Sequence, residues 1–170
     1  VDRVLRRDIE GLRAIAVVAV VLYHARFLGL RGGFVGVDVF FVVSGFLITS
    51  LLLREHASTG KISLAGFYAR RARRLLPASC LVVVGTVIAA DIWLEPLRLR
   101  NLGTDALASG GFVANIVFAH RGTDYLQSAL PPSALQHYWS LAVEEQFYIV
   151  WPALLGLLLW RSRRVSRAAA

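Results

Sequence analysis

Three residue types are scarce or missing in this sequence of 170 residues. There is no methionine, one cysteine and one lysine, Lys61, so every other basic residue is arginine. A single cysteine, Cys80, excludes an intrachain disulfide, and its place in an apolar run indicates a small core or lipid-facing residue. Because the chain lacks methionine and begins with Val1, we expect an alternative start codon or a piece of something longer.

Apolar residues, in contrast, are abundant. They make up 56% of the chain, against about 45–50% in a soluble domain. The excess is concentrated in runs of membrane-spanning length, which predicts an all-α integral membrane protein. Four spans are predicted, at about 12–30, 35–53, 76–94 and 138–160. A further apolar stretch, 106–119, is shorter than the roughly 20 residues that a span needs, so we expect a re-entrant or interfacial helix there.

The positive charge indicates a topology. The net charge is +8, and the arginines flank the apolar runs, so they are better explained by membrane orientation than by a nucleic-acid partner, which we do not expect. With four spans, most arginines fall on one side of the membrane. We therefore predict a multi-pass protein of the inner (plasma) membrane, with both termini and the basic tail 161–170 in the cytoplasm.

Arg13 and His24 are the first candidates for chemistry. They lie 11 positions apart in one apolar run, which corresponds to three helical turns, so they share a face and are about 16 Å apart along the axis. Ionisable residues inside a span are costly and often functional, and histidine suits proton transfer near neutral pH. The alternatives are a snorkelling anchor for Arg13 and a hydrogen-bonded packing residue for His24.

Other polar side chains accompany this pair. Asp38 is expected near the depth of His24, at the outer edge of the second span. Glu144 and Glu145 begin the last span, and because they point about 100° apart, at least one must face the bundle interior. They are predicted to bind a polar substrate or tune His24, unless they mark a shallow, hydrated helix start. No cluster of His, Cys and carboxylates has metal-ligand spacing, so no metal site is predicted.

Four arginines, at 70, 71, 73 and 74, stand close together before the third span. The simplest interpretation is a positive-inside stop or a contact to anionic lipid headgroups. The other is a phosphate site, since guanidinium groups hold phosphate oxygens with forked hydrogen bonds.

Four segments resemble, in order, the signatures of the acyltransferase 3 family of integral membrane O-acyltransferases. They are RDIEGLRAIAVVAVVLYH, GGFVGVDVFFVVSGFLIT, FYARRARRLLPA and HYWSLAVEEQFYIVWP. The resemblance implies that residues 1–160 are a partial acyltransferase 3 membrane domain, similar to the N-terminal half of a roughly ten-span bundle. It implies transfer of an acyl group, usually acetyl, from cytoplasmic acyl-CoA to a hydroxyl of an envelope glycan, glycolipid or other acceptor, with no tightly bound cofactor.

The resemblance also implies roles for individual residues. Arg13 and His24 match the essential pair of the family, and Ser140, Glu145 and Gln146 match its last motif. Together with the residue chemistry, this gives His24, Arg13, Glu144 and Glu145 as the predicted catalytic residues. Acyl-CoA is expected to bind Arg13 and the arginines, and the acceptor to bind Asp38, Ser140 and Gln146. The predicted donor residues are Arg13, Arg70, Arg71, Arg73 and Arg74.

Two other functions stay open at this point. The chain has about half the spans typical of the family, so it could be an inactive remnant or an accessory membrane subunit. A small proton-coupled transporter that uses His24 and the acidic pair is the third interpretation.

Overall fold

The computed structural model describes residues 6–26, 32–124 and 131–168, and all regular structure in these ranges is helical. This confirms the predicted all-α class. The helices in these ranges are α1 (Arg7–His24), α2 (Val35–Thr59), α3 (Leu64–Trp93), α4 (Pro96–Gly110), α5 (Ala114–Thr123) and α6 (Tyr138–Ala168). The chain divides into two compact units, Val1–Ile62 and Ser63–Ala170.

Three helices of the described chain are long and apolar enough to cross a membrane. They are Val35–Thr59, Leu64–Trp93 and the Tyr138–Ser162 part of α6. Their positions overlap three of the four predicted spans. The fourth, α1, has only 18 residues and carries Arg7, Asp8, Glu10 and Arg13, so its crossing stays a prediction.

The first unit pairs α1 with α2 through direct contact of their backbones. Gly36 is buried in the first turn of α2, and a Cβ placed there would lie 2.5 Å from the carbonyl oxygen of Ala16. A Cβ on Gly33 would collide with the carbonyl oxygen of Ala19. Only glycine permits this approach, because any other residue would place a carbon inside the van der Waals radius of the neighbouring backbone.

The end of α1 differs from the prediction. The apolar pattern predicts helix through residue 30, whereas the structure ends α1 at His24, and Arg26 turns the chain with a positive φ of 52°. His24 is therefore the last residue of its helix and not an interior one. Residues 27–31, which complete the predicted span, lie outside the described residues.

Local sequence explains the junction between the units. Gly60 takes the left-handed conformation, with φ 76°, and its N–H donates to the carbonyl of His56, which ends α2. Ser63 then begins α3, because its hydroxyl accepts a hydrogen bond from the N–H of Gly66 at 3.3 Å.

In the second unit, α3 and α6 run antiparallel along the stretch where they meet. Side-chain hydrogen bonds join them, and the partners advance along α3 while they retreat along α6: Tyr68 with Ile149, Arg71 with Glu145, and Ser79 with Tyr138. Beyond this stretch α3 packs on α4. The core there comprises Ala90, Leu102, Ala108, Ala114, Phe118, Leu135, Tyr138 and Ala142.

The short apolar stretch 106–119 is divided between two helices. The end of α4 and most of α5 cover it, and Phe112 separates them with a positive φ of 54°. Its expected re-entrant or interfacial position stays a prediction. The predicted tail 161–170 continues α6 as helix to Ala168, and the last two residues lie outside the described residues.

Candidate functional site

Arg13 and His24 lie on one unbroken helix. Since α1 runs from Arg7 to His24, the three turns that the sequence spacing predicts are present between the two side chains. Arg13 is half-buried, and His24 is exposed. Within the described ranges, Arg13 makes no hydrogen bond or ion pair.

The imidazole of His24 is held in one tautomer by its own helix. Its Nδ1 lies 2.8 Å from the carbonyl oxygen of Val20. A carbonyl oxygen can only accept, so Nδ1 carries the proton and donates it, which leaves Nε2 with an open lone pair in the neutral ring. The ring also meets Tyr23 edge to face, with centroids 5.3 Å apart. This arrangement presents Nε2 as a proton acceptor.

Asp38 belongs to the same unit as this pair. It lies in the first turn of α2 and is exposed. Among the residues that the structure describes, it has no hydrogen-bond or ion-pair partner. Its carboxylate is thus available to a polar ligand.

The second unit joins the arginine cluster to the acidic pair. Arg71 donates to Glu145 through Nη2 at 2.5 Å and through Nε at 3.1 Å. The Glu145 side chain is only 12% exposed, and that of Arg71 is 23% exposed. A desolvated carboxylate needs such a partner, because burial without a counter-charge is very costly. Two of the predicted motifs, 74 residues apart, therefore meet in one contact.

Tyr148 connects Glu144 to the contact between Arg71 and Glu145. The Cζ of Arg71 lies 3.3 Å from the centroid of the Tyr148 ring, so the guanidinium stacks on the ring face. The hydroxyl of Tyr148 donates to Glu144 at 2.5 Å. Glu144 and Glu145 thus have different partners, as their different directions on the helix require. We call Arg71, Glu144, Glu145 and Tyr148 the α3–α6 polar cluster.

The remaining residues of the last motif have internal partners. Gln146 and Asn115 exchange two amide hydrogen bonds, at 3.1 and 3.0 Å. The Nε2 of Gln146 also donates to the carbonyl of Phe112 at 2.9 Å. Ser140 donates to the carbonyl of His137 at 3.2 Å. The predicted role of Ser140 and Gln146 in acceptor binding stays a prediction, and both side chains also stabilise local structure.

The other arginines of the cluster lie on the surface of α3. Arg70, Arg73 and Arg74 are exposed. Arg73 and Arg74 have no hydrogen-bond or ion-pair partner in the described part of the chain. Their guanidinium groups can therefore meet an anionic ligand directly.

Sequence reasoning missed Tyr148 and Asn115. Tyr148 follows Glu144 by four residues, and on a helix that spacing places two side chains side by side, so the pattern contained a usable signal. Asn115 lies 31 residues from Gln146, and no local spacing predicts their contact. The same holds for the ion pair of Arg121 with the buried Asp105, which joins α5 to α4.

The helices and the polar contacts together indicate the class of protein. Long apolar helices and a buried polar cluster of charged side chains identify a helical, multi-pass membrane protein with a built polar site. A family model described as "Acyltransferase domain" matches residues 6–169. The chain therefore belongs to the acyltransferase 3 family, as the motifs predict.

Proteins with similar sequences are named as peptidoglycan O-acetyltransferases. The chain is 47% identical over 154 residues to the peptidoglycan O-acetyltransferase OatA of Listeria monocytogenes, which covers 90% of this chain and 25% of that protein. It is 43% identical over 164 residues to the putative peptidoglycan O-acetyltransferase YrhL of Bacillus subtilis, and the match covers 95% of this chain and 25% of that protein. The chain thus spans about a quarter of the length of these relatives. No solved structure gives a significant match.

Proposed function

We propose that this chain is part of a membrane O-acetyltransferase that moves an acetyl group from acyl-CoA to a hydroxyl of an envelope carbohydrate. The observation that carries the proposal is the fixed tautomer of His24 in a chain of the acyltransferase family. With Nδ1–H donating to Val20, the opposite ring nitrogen is available as a general base. The names of the relatives favour peptidoglycan as the first acceptor to test.

The proposed reaction needs a base and a leaving group. Nε2 of His24 takes the proton of the acceptor hydroxyl while that oxygen forms a bond to the acyl carbon. The carbon–sulfur bond of the thioester breaks, and the departing CoA thiolate receives the proton from the imidazolium. The same chemistry serves if the acyl group passes through an intermediate carrier, because His24 then deprotonates the carrier or the final hydroxyl.

The donor is proposed to approach from the cytoplasm, where its charged half remains. Arg13 lies about 16 Å from His24 along α1, comparable with the length of an extended pantetheine arm. Phosphates near Arg13 would therefore place the thioester near His24.

One residue assignment follows for the acceptor, and a second for the arginines that are proposed to bind the donor. Asp38, exposed in the same unit as His24, is proposed to accept hydrogen bonds from sugar hydroxyls. The acidic pair is proposed to act on the arginines, since both carboxylates have partners in the α3–α6 polar cluster.

The test is mass spectrometry of envelope glycans from cells with and without the complete gene. We expect a mass increment of one acetyl group to disappear from one glycan or glycolipid when the gene is deleted, and to return with the wild-type copy. A copy with His24→Ala is expected to leave the increment missing. Restoration by that variant at the wild-type level, with equal protein in the membrane, would contradict the proposal.

A further inference from the structure

Tyr148 is the most buried member of the α3–α6 polar cluster. It is 2% exposed, its ring lies under the Arg71 guanidinium, and its hydroxyl is bonded to Glu144. None of the roles considered so far requires a tyrosine at this place. The burial of a polar ring against two charged partners calls for an explanation beyond packing.

The contacts of Arg71 leave one part of its guanidinium available. The group has five N–H donors. Glu145 takes Nε and one side of Nη2, and the Tyr148 ring covers one face. Nη1 has no hydrogen-bond partner in the ranges that the structure describes. The side chain keeps 23% exposure, so a hydrogen-bond acceptor from outside the protein can reach Arg71.

A phosphate oxygen is the acceptor that such an edge suits. Guanidinium N–H groups bind phosphate by geometry as well as by charge, and Arg73 and Arg74, exposed on the same helix, add positive charge nearby. Glu144 and Glu145 bring two negative charges against the four positive charges of Arg70, Arg71, Arg73 and Arg74. The net positive balance favours an anionic ligand.

The two glutamates have complementary tasks in this arrangement. Glu145 fixes Arg71 from the side by two nitrogen atoms, and Glu144 fixes the Tyr148 hydroxyl and so the plane of the ring. A guanidinium that is held in place by a carboxylate and a ring loses less conformational freedom when a ligand binds. This explains why two adjacent carboxylates lie next to one tyrosine.

We propose that Tyr148 is a positioning residue, which with Glu144 and Glu145 orients Arg71 so that Nη1 binds a phosphate of the acyl donor. This proposal rests on the proposed function, because it assigns the donor site of the same reaction. The shared chemistry of the ligand is a phosphate ester, which the donor and an anionic lipid headgroup both carry, and we assign it to the donor.

The test uses the complete protein in nanodiscs of phosphatidylcholine and separates donor binding from chemistry. Tyr148→Leu removes the ring face, and we expect the KM for acetyl-CoA and the Kd for CoA to rise about tenfold, as the loss of a desolvated cation–π contact predicts. The kcat at saturating donor should stay within about twofold. Phe147→Leu is the control. The Phe147 ring stacks on Trp151 and lies next to Tyr148 in the sequence, so the KM of this variant for acetyl-CoA should remain that of the wild type.

A second pair of variants keeps the test valid if Tyr148→Leu does not fold. Tyr148→Phe keeps the ring and removes the hydroxyl, and Glu144→Gln weakens the same hydrogen bond from the other side. Each is expected to raise the Kd for CoA by about threefold. Both substitutions remove the same hydrogen bond, so the double variant should have the same Kd for CoA as either single variant. Additive losses would contradict the positioning role.

The outcomes distinguish this inference from the function on which it rests. Wild-type protein that neither binds CoA nor uses acetyl-CoA overturns both. Wild-type protein that binds CoA while Tyr148→Leu binds it equally well overturns the positioning role alone. If adding phosphatidylglycerol to the nanodiscs displaces CoA from the wild type but not from Tyr148→Leu, lipid occupies the site and the donor assignment is wrong.

Discussion

The two units of the chain hold their candidate residues in opposite ways. In the first, His24 is bonded only to its own helix, and Arg13 and Asp38 have no polar partner among the described residues. In the second, Arg71 is bonded across 74 positions of the sequence and Gln146 across 31. The three candidate side chains of the first unit thus have no polar contact with another helix in the described ranges, whereas Arg71, Glu145 and Gln146 of the second are bonded between helices.

This difference separates two kinds of site. An open group can meet a substrate without losing an internal contact, which suits proton transfer and acceptor binding. A group that is already held has lost its freedom before a ligand arrives, which suits the binding of a charged donor. We therefore expect substitutions of His24, Arg13 and Asp38 to affect chemistry more than folding, and substitutions of Arg71 and Glu145 to affect both.

The largest expected effect is that of His24→Ala on catalysis. Loss of a general base lowers rates by about 10²–10⁴-fold, and acetyl transfer by the complete protein, measured with acetyl-CoA and a glycan acceptor, should fall by this factor. The thermal midpoint should change little, because the ring is exposed and its contacts with Val20 and Tyr23 lie within its own helix. His56→Ala, at the end of α2, is the control and should keep the wild-type rate. Equal rates for both variants would remove the base from the mechanism.

The next effect concerns the folding of the second unit. Glu145→Gln leaves Arg71 without its counter-charge, and we expect the free energy of unfolding to fall by about 3 kcal/mol. Chemical unfolding in detergent measures this loss. Arg73→Gln, at an exposed position of the same helix, should change the free energy by less than about 0.5 kcal/mol. A Glu145→Gln protein as stable as the wild type would show that the ion pair of Arg71 and Glu145 does not stabilise the second unit.

A smaller effect is expected at the helix contact of the first unit. Gly36→Ala places a carbon against the carbonyl of Ala16, and the forced separation should cost about 1–3 kcal/mol of unfolding free energy. Gly11→Ala, on α1, meets no atom within 4 Å and should stabilise the protein by about 0.5–1 kcal/mol through helix propensity. Thermal unfolding of the two variants gives the comparison, and a stabilising Gly36→Ala would contradict the close approach.

The smallest effect is electrostatic and confined to the start of α1. A hydrogen bond from Arg6 lowers the pKa of Asp8 from 3.8 to about 2. Because the folded pKa is the lower one, the stabilisation is fully present above the ordinary value and disappears as the pH falls through about 2. Carboxyl NMR should find this pKa, and Arg6→Gln should return it toward 3.8.

Arg7→Gln is the control for that titration. Arg7 is exposed, and it has no hydrogen-bond or ion-pair partner among the described residues. The pKa of Asp8 should therefore remain about 2 in this variant. An equal rise in both variants would show that the general positive charge, and not the hydrogen bond, lowers the value.

The sequence predicted the parts of this molecule that depend on local periodicity. Apolar runs indicated the helices, and the spacing of Arg13 and His24 placed both on one of them. The end of α1 at His24 was missed. Apolar residues continue past the turn at Arg26, and a hydropathy pattern contains no information on backbone angles. The partners of Glu145 and Gln146 were missed for a different reason. They come from other helices, and only tertiary packing brings them close.

The close contact of α1 with α2 sets a limit on how this protein can vary. A core of branched side chains can exchange volume between neighbours and keep its density. Gly33 and Gly36 have no side-chain volume to give up, since every other residue adds at least one carbon. At these two glycines, the approach of the helix of His24 to the helix of Asp38 is limited by the carbonyl oxygens of Ala16 and Ala19 and by side-chain carbons of Val20 and Tyr23. A larger residue at either glycine can only widen the distance between the two helices.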